Sequence, residues 1–323
     1  MQSSREIVIR TITFDSPPRL AIDLPPEYGS DFAETGMTPS PDYRPSQGVD
    51  QWGAVWENIG VCKLGEVEKF PLERWEDFDR LRIPDIHDPS IWIKMDNARR
   101  IAGDKFLLAD GISLYERVHF IRGLENTWMD IFEERDNLCR LIDILVEMNL
   151  VAIERFSRAG IDALYITDDW GLQNRLMISP QSWRDIWKPA YKRVFEAAHA
   201  AGLYTFLHSC GYIIEIMDDL IEIGLDVIQM DQQENMGLEL LGDRFRGRIT
   251  FFCPVDIQAT MARGNPDEIV RYCRKMFECL CTPSGGLIPR WYSDPVGAGH
   301  SDRAIRAMSE EFLSLSQSYA GRS

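Results

Sequence analysis

Residues 204–212 read YTFLHSCGY, an apolar run that ends in His208 and Cys210 and turns at Gly211. Such a run is typical of a β-strand, and side chains two positions apart on a strand share one face. Neutral imidazole and thiolate are favoured zinc ligands, so this pair can supply two of the three protein ligands of an open, catalytic site. The pair also fits a core histidine beside an unreactive cysteine, and the pattern alone leaves both interpretations open.

The composition is compatible with two domains or with one α/β barrel, and it argues against binding to nucleic acid or membranes. The 323 residues are 45% hydrophobic, which is enough for one barrel with a sizeable core. Asp and Glu number 51 against 35 Lys and Arg, and the formal net charge of −16 repels phosphates and anionic membrane surfaces. The seven cysteines lack the paired spacing of a disulfide framework. No apolar run approaches the about 18 residues that a membrane span needs. We therefore expect a cytoplasmic protein with reduced thiols.

Outward from residues 204–212, the chain repeats one unit: a short apolar strand, a polar residue at its end, and an amphipathic helix. This alternation predicts parallel strands covered by helices. No strand leads into a Gly-rich phosphate loop, which favours a (β/α)8 TIM-type barrel over an open doubly wound sheet. The predicted strands span 105–109, 163–167, 203–208, 226–230, 249–253 and 287–291. The predicted helices span 123–133, 137–159, 180–201, 212–223, 238–245, 266–281 and 302–319.

The N-terminal part is predicted to be an extension, residues 1–70, that packs on a barrel formed by residues 71–323. The segment EIVIRTITF at 6–14 is rich in β-branched residues and predicts a strand. A loop rich in Pro and Gly follows. A short hairpin with strands at 60–64 and 66–70, joined at Gly65, would complete the extension.

Polar and aromatic residues follow several of the predicted strands, where the catalytic groups of a barrel gather. Asp168 and Asp169 are adjacent carboxyls that can act as a general acid or orient a substrate, whereas the alternative is that one of them binds loop backbone. Cys253 ends a later strand and either completes a zinc site or is a buried thiol. The candidates for substrate binding are Trp170, Gln173, Gln229, Trp291 and Tyr292.

Five sequence words in a fixed order resemble a known family. They are DDWGLQ at 168–173, ISP at 178–180, HSCG at 208–211, DLIEIGLDVIQ at 219–229 and PVDIQ at 254–258. Over about residues 105–300 the chain is similar to the uroporphyrinogen decarboxylase superfamily. The resemblance implies a distorted (β/α)8 barrel, in agreement with the strand and helix pattern.

The superfamily has two branches, and the residues of this chain fit one of them better. Its decarboxylases use no metal and carry an arginine-bearing N-terminal signature, which is not visible in residues 1–20. Its corrinoid-linked methyltransferases hold zinc through a His-x-Cys pair, here His208 and Cys210, and a later cysteine near the last strand. GGLIPRWYSDP at 285–295 contains no cysteine. Cys253, an acidic residue at the rim or a substrate atom would have to fill the third position.

The resemblance therefore implies a zinc-assisted methyltransferase that moves a methyl group between a small molecule and a corrinoid carried by a partner protein. Asp168, Asp169 and Gln173 would orient the substrate between Trp291 and Tyr292. Two other hypotheses stay open: a metal-free decarboxylase of a tetrapyrrole-like or other carboxylated substrate, and a corrinoid or tetrapyrrole binder without catalysis. A homodimer is compatible with the sequence, which does not identify the substrate.

Overall fold

The structure, a computed structural model, describes residues 2–39, 48–58 and 65–320 of the chain. Within these ranges no helix combines the length and the apolar character needed to cross a membrane.

Seven parallel strands form the central sheet, in the order β1-β4-β5-β6-β7-β8-β9. The six strands predicted from residue 105 onward are all present, with bounds that shift by no more than two residues. A separate antiparallel pair, β2 and β3, lies outside this sheet. The strands are β1 (Phe32–Gly36), β2 (Val55–Asn58), β3 (Gly65–Lys69), β4 (Phe106–Asp110), β5 (Ala163–Thr167), β6 (Tyr204–His208), β7 (Val227–Gln229), β8 (Thr250–Cys253) and β9 (Leu287–Pro289).

Asp23 closes the sheet into a ring. Its backbone N–H donates to the carbonyl of Pro289 at 2.9 Å, and its carbonyl accepts from the N–H of Trp291 at 2.9 Å, so it pairs with the end of β9. On the other side, Asp23 forms an antiparallel bridge with Ser30, close to the start of β1. The predicted fold class, a distorted (β/α)8 barrel, is confirmed.

Helices alternate with the strands and cover the outside of the sheet. The main hydrophobic core lies between these two layers, as expected when each helix buries one apolar face. The helices are α1 (Ser4–Ile12), α2 (Ala98–Ala102), α3 (Glu116–Arg122), α4 (Leu124–Glu133), α5 (Arg135–Arg158), α6 (Pro180–Ala200), α7 (Met217–Glu222), α8 (Leu238–Phe245), α9 (Thr260–Arg263), α10 (Pro266–Leu280) and α11 (Asp302–Ala320).

A second, smaller core fills the interior of the barrel. It includes Phe32, Phe106, Phe206 and Phe252, and the rings of Phe32 and Phe252 stack at 5.0 Å. Helix α1 adds apolar side chains to this core, and so closes the amino-terminal end of the barrel. The functional side chains must therefore lie at the opposite, carboxyl-terminal end of the strands.

The strand predicted over 6–14 is wrong, because these residues belong largely to helix α1. Ser3 accepts from the backbone N–H of Glu6, and the Glu6 carboxylate accepts from the backbone N–H of Ser3, which forms a capping box. The buried residues Ile7, Val8, Thr11 and Ile12 follow helical spacing. The capping signal outweighs the β-branched composition that suggested a strand.

The segment predicted to be an extension contributes directly to the barrel, since both β1 and Asp23 lie within residues 1–70. Its short antiparallel pair forms between β2 and β3. Gly65 pairs with Asn58 within these strands, so Gly65 is not the turn that the sequence predicted. The strand predicted over 60–64 lies outside the described residues. The division of the chain at residue 70 remains a proposal.

Candidate functional site

The ends of β5, β6 and β7 bring three sequence motifs into register. Thr167 pairs with His208, and His208 pairs with Gln229. Beyond the strands, the Asp168 N–H donates to the His208 carbonyl at 3.0 Å, and the Gly171 N–H donates to the Cys210 carbonyl at 3.1 Å. The loops after β5 and β6 are therefore held together over their first residues.

Two glycines allow these loops to touch. A Cβ atom on Gly171 would lie 2.3 Å from the backbone nitrogen of Tyr212, and one on Gly211 would lie 2.2 Å from the carbonyl oxygen of Gly171. Gly211 also has a φ of +76°, a conformation that favours glycine. The glycines of DDWG and HSCG are thus needed for the backbone contact that places Asp169 beside the β6 loop.

The contact assembles three potential metal ligands, Asp169, His208 and Cys210, whose donor atoms all lie within 4.8 Å of one another. The His208 Nε2 atom is 3.2 Å from Asp169 Oδ1 and 3.4 Å from Cys210 Sγ. Tetrahedral zinc with bonds of about 2.0–2.3 Å separates neighbouring ligand atoms by about 3.3–3.6 Å. The two measured separations are close to this spacing, and the mixed O, N and S donor set is one that zinc accepts.

Gln229, which is held by Asp231, orients the His208 ring through its Nδ1 atom. The Gln229 Nε2 group donates to Asp231 Oδ1 at 2.7 Å, because only the amide nitrogen can donate to a carboxylate. The Gln229 Oε1 atom therefore faces His208 Nδ1, which donates to it, and it also accepts from the Tyr165 hydroxyl at 3.1 Å. A proton held on Nδ1 leaves Nε2 of the neutral ring free for a metal.

Burial and mutual hydrogen bonds shift the pKa values of the three candidate ligands. Burial acts to lower the pKa of His208, but hydrogen bonds to Asp169 and Cys210 raise it well above its ordinary value. Burial would raise the pKa of Asp169, yet the hydrogen bonds from His208 and from the Cys210 backbone lower it overall. Burial raises the pKa of the Cys210 thiol. A metal that binds here must displace protons from His208 and Cys210.

A cavity of about 830 Å³ opens at this end of the barrel, and His208 forms part of its wall. Trp291 and Tyr292, both predicted to contact substrate, also line it. The other predicted substrate-binding residue in its wall is Gln229, whose amide is already bound to His208, Tyr165 and Asp231. The lining residues include Asp23, Phe32, Glu34, Tyr165, Thr167, His208, Gln229, Asp231, Arg290, Trp291 and Tyr292.

Asp168, predicted to be catalytic, points away from this cavity. Its fully buried carboxylate accepts from the backbone N–H groups of Leu114, Tyr115 and Glu116, each at 2.8 Å, and from the Tyr191 hydroxyl at 2.6 Å. Burial raises its pKa to about 6, against the effect of these donors. Asp168 thus anchors the start of α3, and its catalytic role stays a prediction.

Trp170 and Gln173 also lie apart from the cavity. The Trp170 ring is fully buried, stacks on Tyr115 at 3.9 Å and donates to the Tyr191 hydroxyl at 3.0 Å. Gln173 is exposed on the loop after β5 and is not among the cavity residues. Neither residue lines the cavity, and their contacts with substrate stay predictions.

Cys253 does not join the metal ligands in the described structure. It ends β8, is fully buried, and is not a member of the group of donors formed by Asp169, His208 and Cys210. Burial raises the pKa of its thiol. The acidic alternative for the third ligand, a carboxylate at the rim, fits the geometry better, and Asp169 provides it.

The sequence reading missed two charged residues near the site. Glu116, the first residue of α3, has a pKa raised to about 8 by burial and by the neighbouring carboxyls of Asp168 and Asp169. No motif pointed to it. Arg290 directly follows β9 and lines the cavity, and its position at a strand end is a signal that could have identified it.

Among solved structures, one shows the same fold and two others give lower scores. A methyltransferase from Methanosarcina mazei superposes with a TM-score of 0.65 at 15% sequence identity, over 97% of this chain and 100% of that one. The 3-keto-D-glucoside 4-epimerase YcjR from E. coli gives 0.41 at 12% identity, over 77% and 96% of the two chains. The D-psicose 3-epimerase from Clostridium cellulolyticum H10 gives 0.43 at 10% identity, over 91% and 90%.

Comparison with curated proteins found no match. A family model, Uroporphyrinogen decarboxylase (URO-D), matches residues 117–288, which is more than half of the chain and includes the loops of the candidate site. The resemblance seen in the sequence is confirmed, and the chain belongs to the uroporphyrinogen decarboxylase family.

Proposed function

We propose that this protein is a zinc-assisted methyltransferase that moves a methyl group between a small molecule and a corrinoid carried by a partner protein. The observation that supports it is the donor group of Asp169, His208 and Cys210, which borders the cavity through His208. Three protein ligands leave one position for a substrate atom, as in catalytic zinc sites.

Bound zinc would supply a Lewis acid that lowers the pKa of an acceptor thiol or hydroxyl, or that activates a methyl ether. The residues of the chain prepare the site for this chemistry. Gln229, fixed by Asp231, keeps the Nε2 atom of His208 directed at the site. Asp169 adds a negative charge that helps to hold the ion.

The cavity gives the substrate its orientation. Trp291 and Tyr292 form its aromatic part and can pack against a small organic molecule, as in most small-molecule sites. The cavity opens at the carboxyl-terminal end of the barrel, where a partner protein can approach the metal. A methyl group can thus be presented from the partner side to a substrate held inside.

The test is a corrinoid-dependent assay on the zinc-loaded protein. Methylcobalamin is incubated with the protein and a panel of small thiols and phenols, and loss of the methyl–cobalt bond is followed by absorbance. We expect demethylation that requires the protein and is lost in His208→Ala and Cys210→Ala. The variant Cys253→Ala serves as the matched cysteine control and should retain activity.

Two results would reject the proposal. One is a demethylation rate that no acceptor raises above that of a protein-free control. The other is full activity after chelation of the metal. Release of carbon dioxide from a carboxylated substrate without any corrinoid would instead favour the decarboxylase hypothesis.

A further inference from the structure

Arg290 presents to the cavity a guanidinium group without a direct carboxylate partner. It follows β9, its Nε atom donates to the Trp291 carbonyl at 3.3 Å, and the group lies over the Phe252 ring at 4.7 Å from the ring centre. Its side chain is half-buried and lines the cavity. Within the described parts of the chain, no carboxylate oxygen lies within 4.0 Å of its nitrogens.

Other arginines in partly buried positions are paired. Arg122 contacts Asp130 at 2.8 Å, and Arg117 contacts Asp50 at 2.9 Å. A guanidinium removed from water is costly unless it gains a partner, and a carboxylate can bind it through two parallel hydrogen bonds. In contrast to these arginines, Arg290 leaves its guanidinium open to an anion that enters the cavity.

The nearest acids support the charge of Arg290 from a distance. Burial acts to lower the pKa of Arg290, but Tyr165, Asp231, Asp23 and Glu34 raise it overall, so the group is charged. Asp23 already accepts from the Ser30 hydroxyl at 2.8 Å, and Asp231 accepts from Gln229 at 2.7 Å. These two carboxylates therefore hold other donors.

Aromatic and charged side chains line the cavity around Arg290, which reaches the candidate metal site at His208. Phe32, Tyr165, Trp291 and Tyr292 line it together with Arg290. The Tyr165 hydroxyl donates to the same Gln229 oxygen that holds His208. A flat molecule bound at Arg290 would therefore lie in the cavity that His208 borders.

We propose that Arg290 binds the carboxylate of a small aromatic substrate and directs the rest of that molecule toward Asp169, His208 and Cys210. The proposal rests on the proposed function and adds the substrate class. It makes Arg290 a specificity-determining residue that contacts the substrate.

The test compares two probes of the same shape, benzoate and uncharged benzamide, by isothermal titration calorimetry. A charge-assisted pair should make benzoate bind at least about tenfold more tightly than benzamide. In Arg290→Gln, the affinity for benzoate should fall to that for benzamide. Arg290→Lys should be intermediate, because lysine keeps the charge but loses the two-pronged contact. Arg303→Gln, a change at an exposed arginine, is the control and should behave as wild type.

Three results overturn the proposal: benzoate binds no more tightly than benzamide, benzoate does not bind measurably, or Arg290→Gln binds benzoate as wild type does. The comparison of the two probes on the wild-type protein decides the point even if Arg290→Gln does not fold. The titration runs on zinc-loaded and on chelator-treated protein and needs no corrinoid. Charge-dependent binding without methyl transfer would therefore reject the proposed function alone.

Discussion

On the loop after β5, the adjacent residues Asp168 and Asp169 point to opposite sides and have different environments. On the packed side, Asp168 is fully buried and accepts four hydrogen bonds that fix α3 and Tyr191. On the metal-site side, Asp169 keeps a carboxylate beside His208 and Cys210, with its side chain 36% exposed. The direction of each side chain, rather than its chemistry, decides whether it stabilises the fold or forms the site.

The largest effect on stability and on zinc binding is expected from a change that disrupts both sides of this loop. In Gly171→Ala the new Cβ atom would lie 2.3 Å from a backbone nitrogen, so the loops after β5 and β6 must separate. We expect unfolding to become easier by about 3 kcal/mol or more, measured in urea, and zinc binding to be lost. Gly202→Ala is the control without a close contact, since no atom lies within 4 Å of the new Cβ, and its φ of +79° makes it a demanding one. Equal effects of the two changes would contradict the role given to the loop contact.

The packed side alone is tested by Asp168→Asn. The carboxylate accepts hydrogen bonds on both oxygens, and in the variant an NH₂ group replaces one of them. Because NH₂ cannot accept, at least one buried N–H or O–H loses its partner. We expect the free energy of unfolding to fall by about 2–4 kcal/mol. If the variant folds, its zinc stoichiometry should remain that of wild type. Asp243→Asn, the same change at an exposed residue, is the matched control. If Asp168→Asn were as stable as wild type, the anchoring role of Asp168 would be contradicted.

The metal-site side alone is tested by Asp169→Asn. Loss of a residue that only supports a metal ligand lowers metal affinity by about 10–100-fold. This change removes a charged ligand itself, so the affinity for zinc should fall by more than that. Stability of the metal-free protein should change by about 1 kcal/mol or less, since the side chain is partly exposed. Zinc titration with a competing chelator and urea unfolding measure the two quantities. An unchanged zinc affinity would remove Asp169 from the ligand set.

A smaller effect is expected at Glu116, which links the two sides. Its backbone N–H binds Asp168, and its pKa, raised to about 8 from an ordinary 4.5, reflects burial and the charges of Asp168 and Asp169. The folded protein therefore holds this proton more tightly than the unfolded chain does. The stabilising contribution is present below about pH 4.5 and is lost as the pH rises to about 8.

Glu116→Gln should remove this dependence. In metal-free protein, the stability of wild type relative to the variant should fall by about 1 kcal/mol or more between pH 5 and pH 8. Urea unfolding at a series of pH values measures it. A constant difference across this range would show that Glu116 titrates near its ordinary pKa.

Much of the barrel could be predicted from the sequence because its strands and helices carry strong local signals. The alternation of apolar strand and amphipathic helix located the six strands from β4 to β9. The N-terminal part was harder, because α1 is rich in β-branched residues and because Asp23 joins the ring through two backbone hydrogen bonds that leave no pattern in the sequence.

The candidate site could be predicted only in part. The strand position of His208 and Cys210 indicated a pair of ligands, since residues two apart share a face. The third ligand could not be chosen among Cys253, an acidic residue at the rim and a substrate atom, because that choice depends on how closely Gly171 and Gly211 approach across two loops. The role of Gln229 was also hidden, since its partners His208 and Asp231 are set by the register of β6 and β7.

The most direct test of the central claim is the X-ray absorption spectrum of zinc bound to the purified protein. With Asp169, His208 and Cys210 as ligands, the spectrum should fit one sulfur at about 2.3 Å and the remaining ligands as nitrogen or oxygen at about 2.0–2.2 Å. Asp169→Asn should weaken binding without adding a sulfur. A spectrum with two sulfur ligands would place Cys253 at the metal instead of Asp169, and a protein that binds no zinc would contradict the account as a whole.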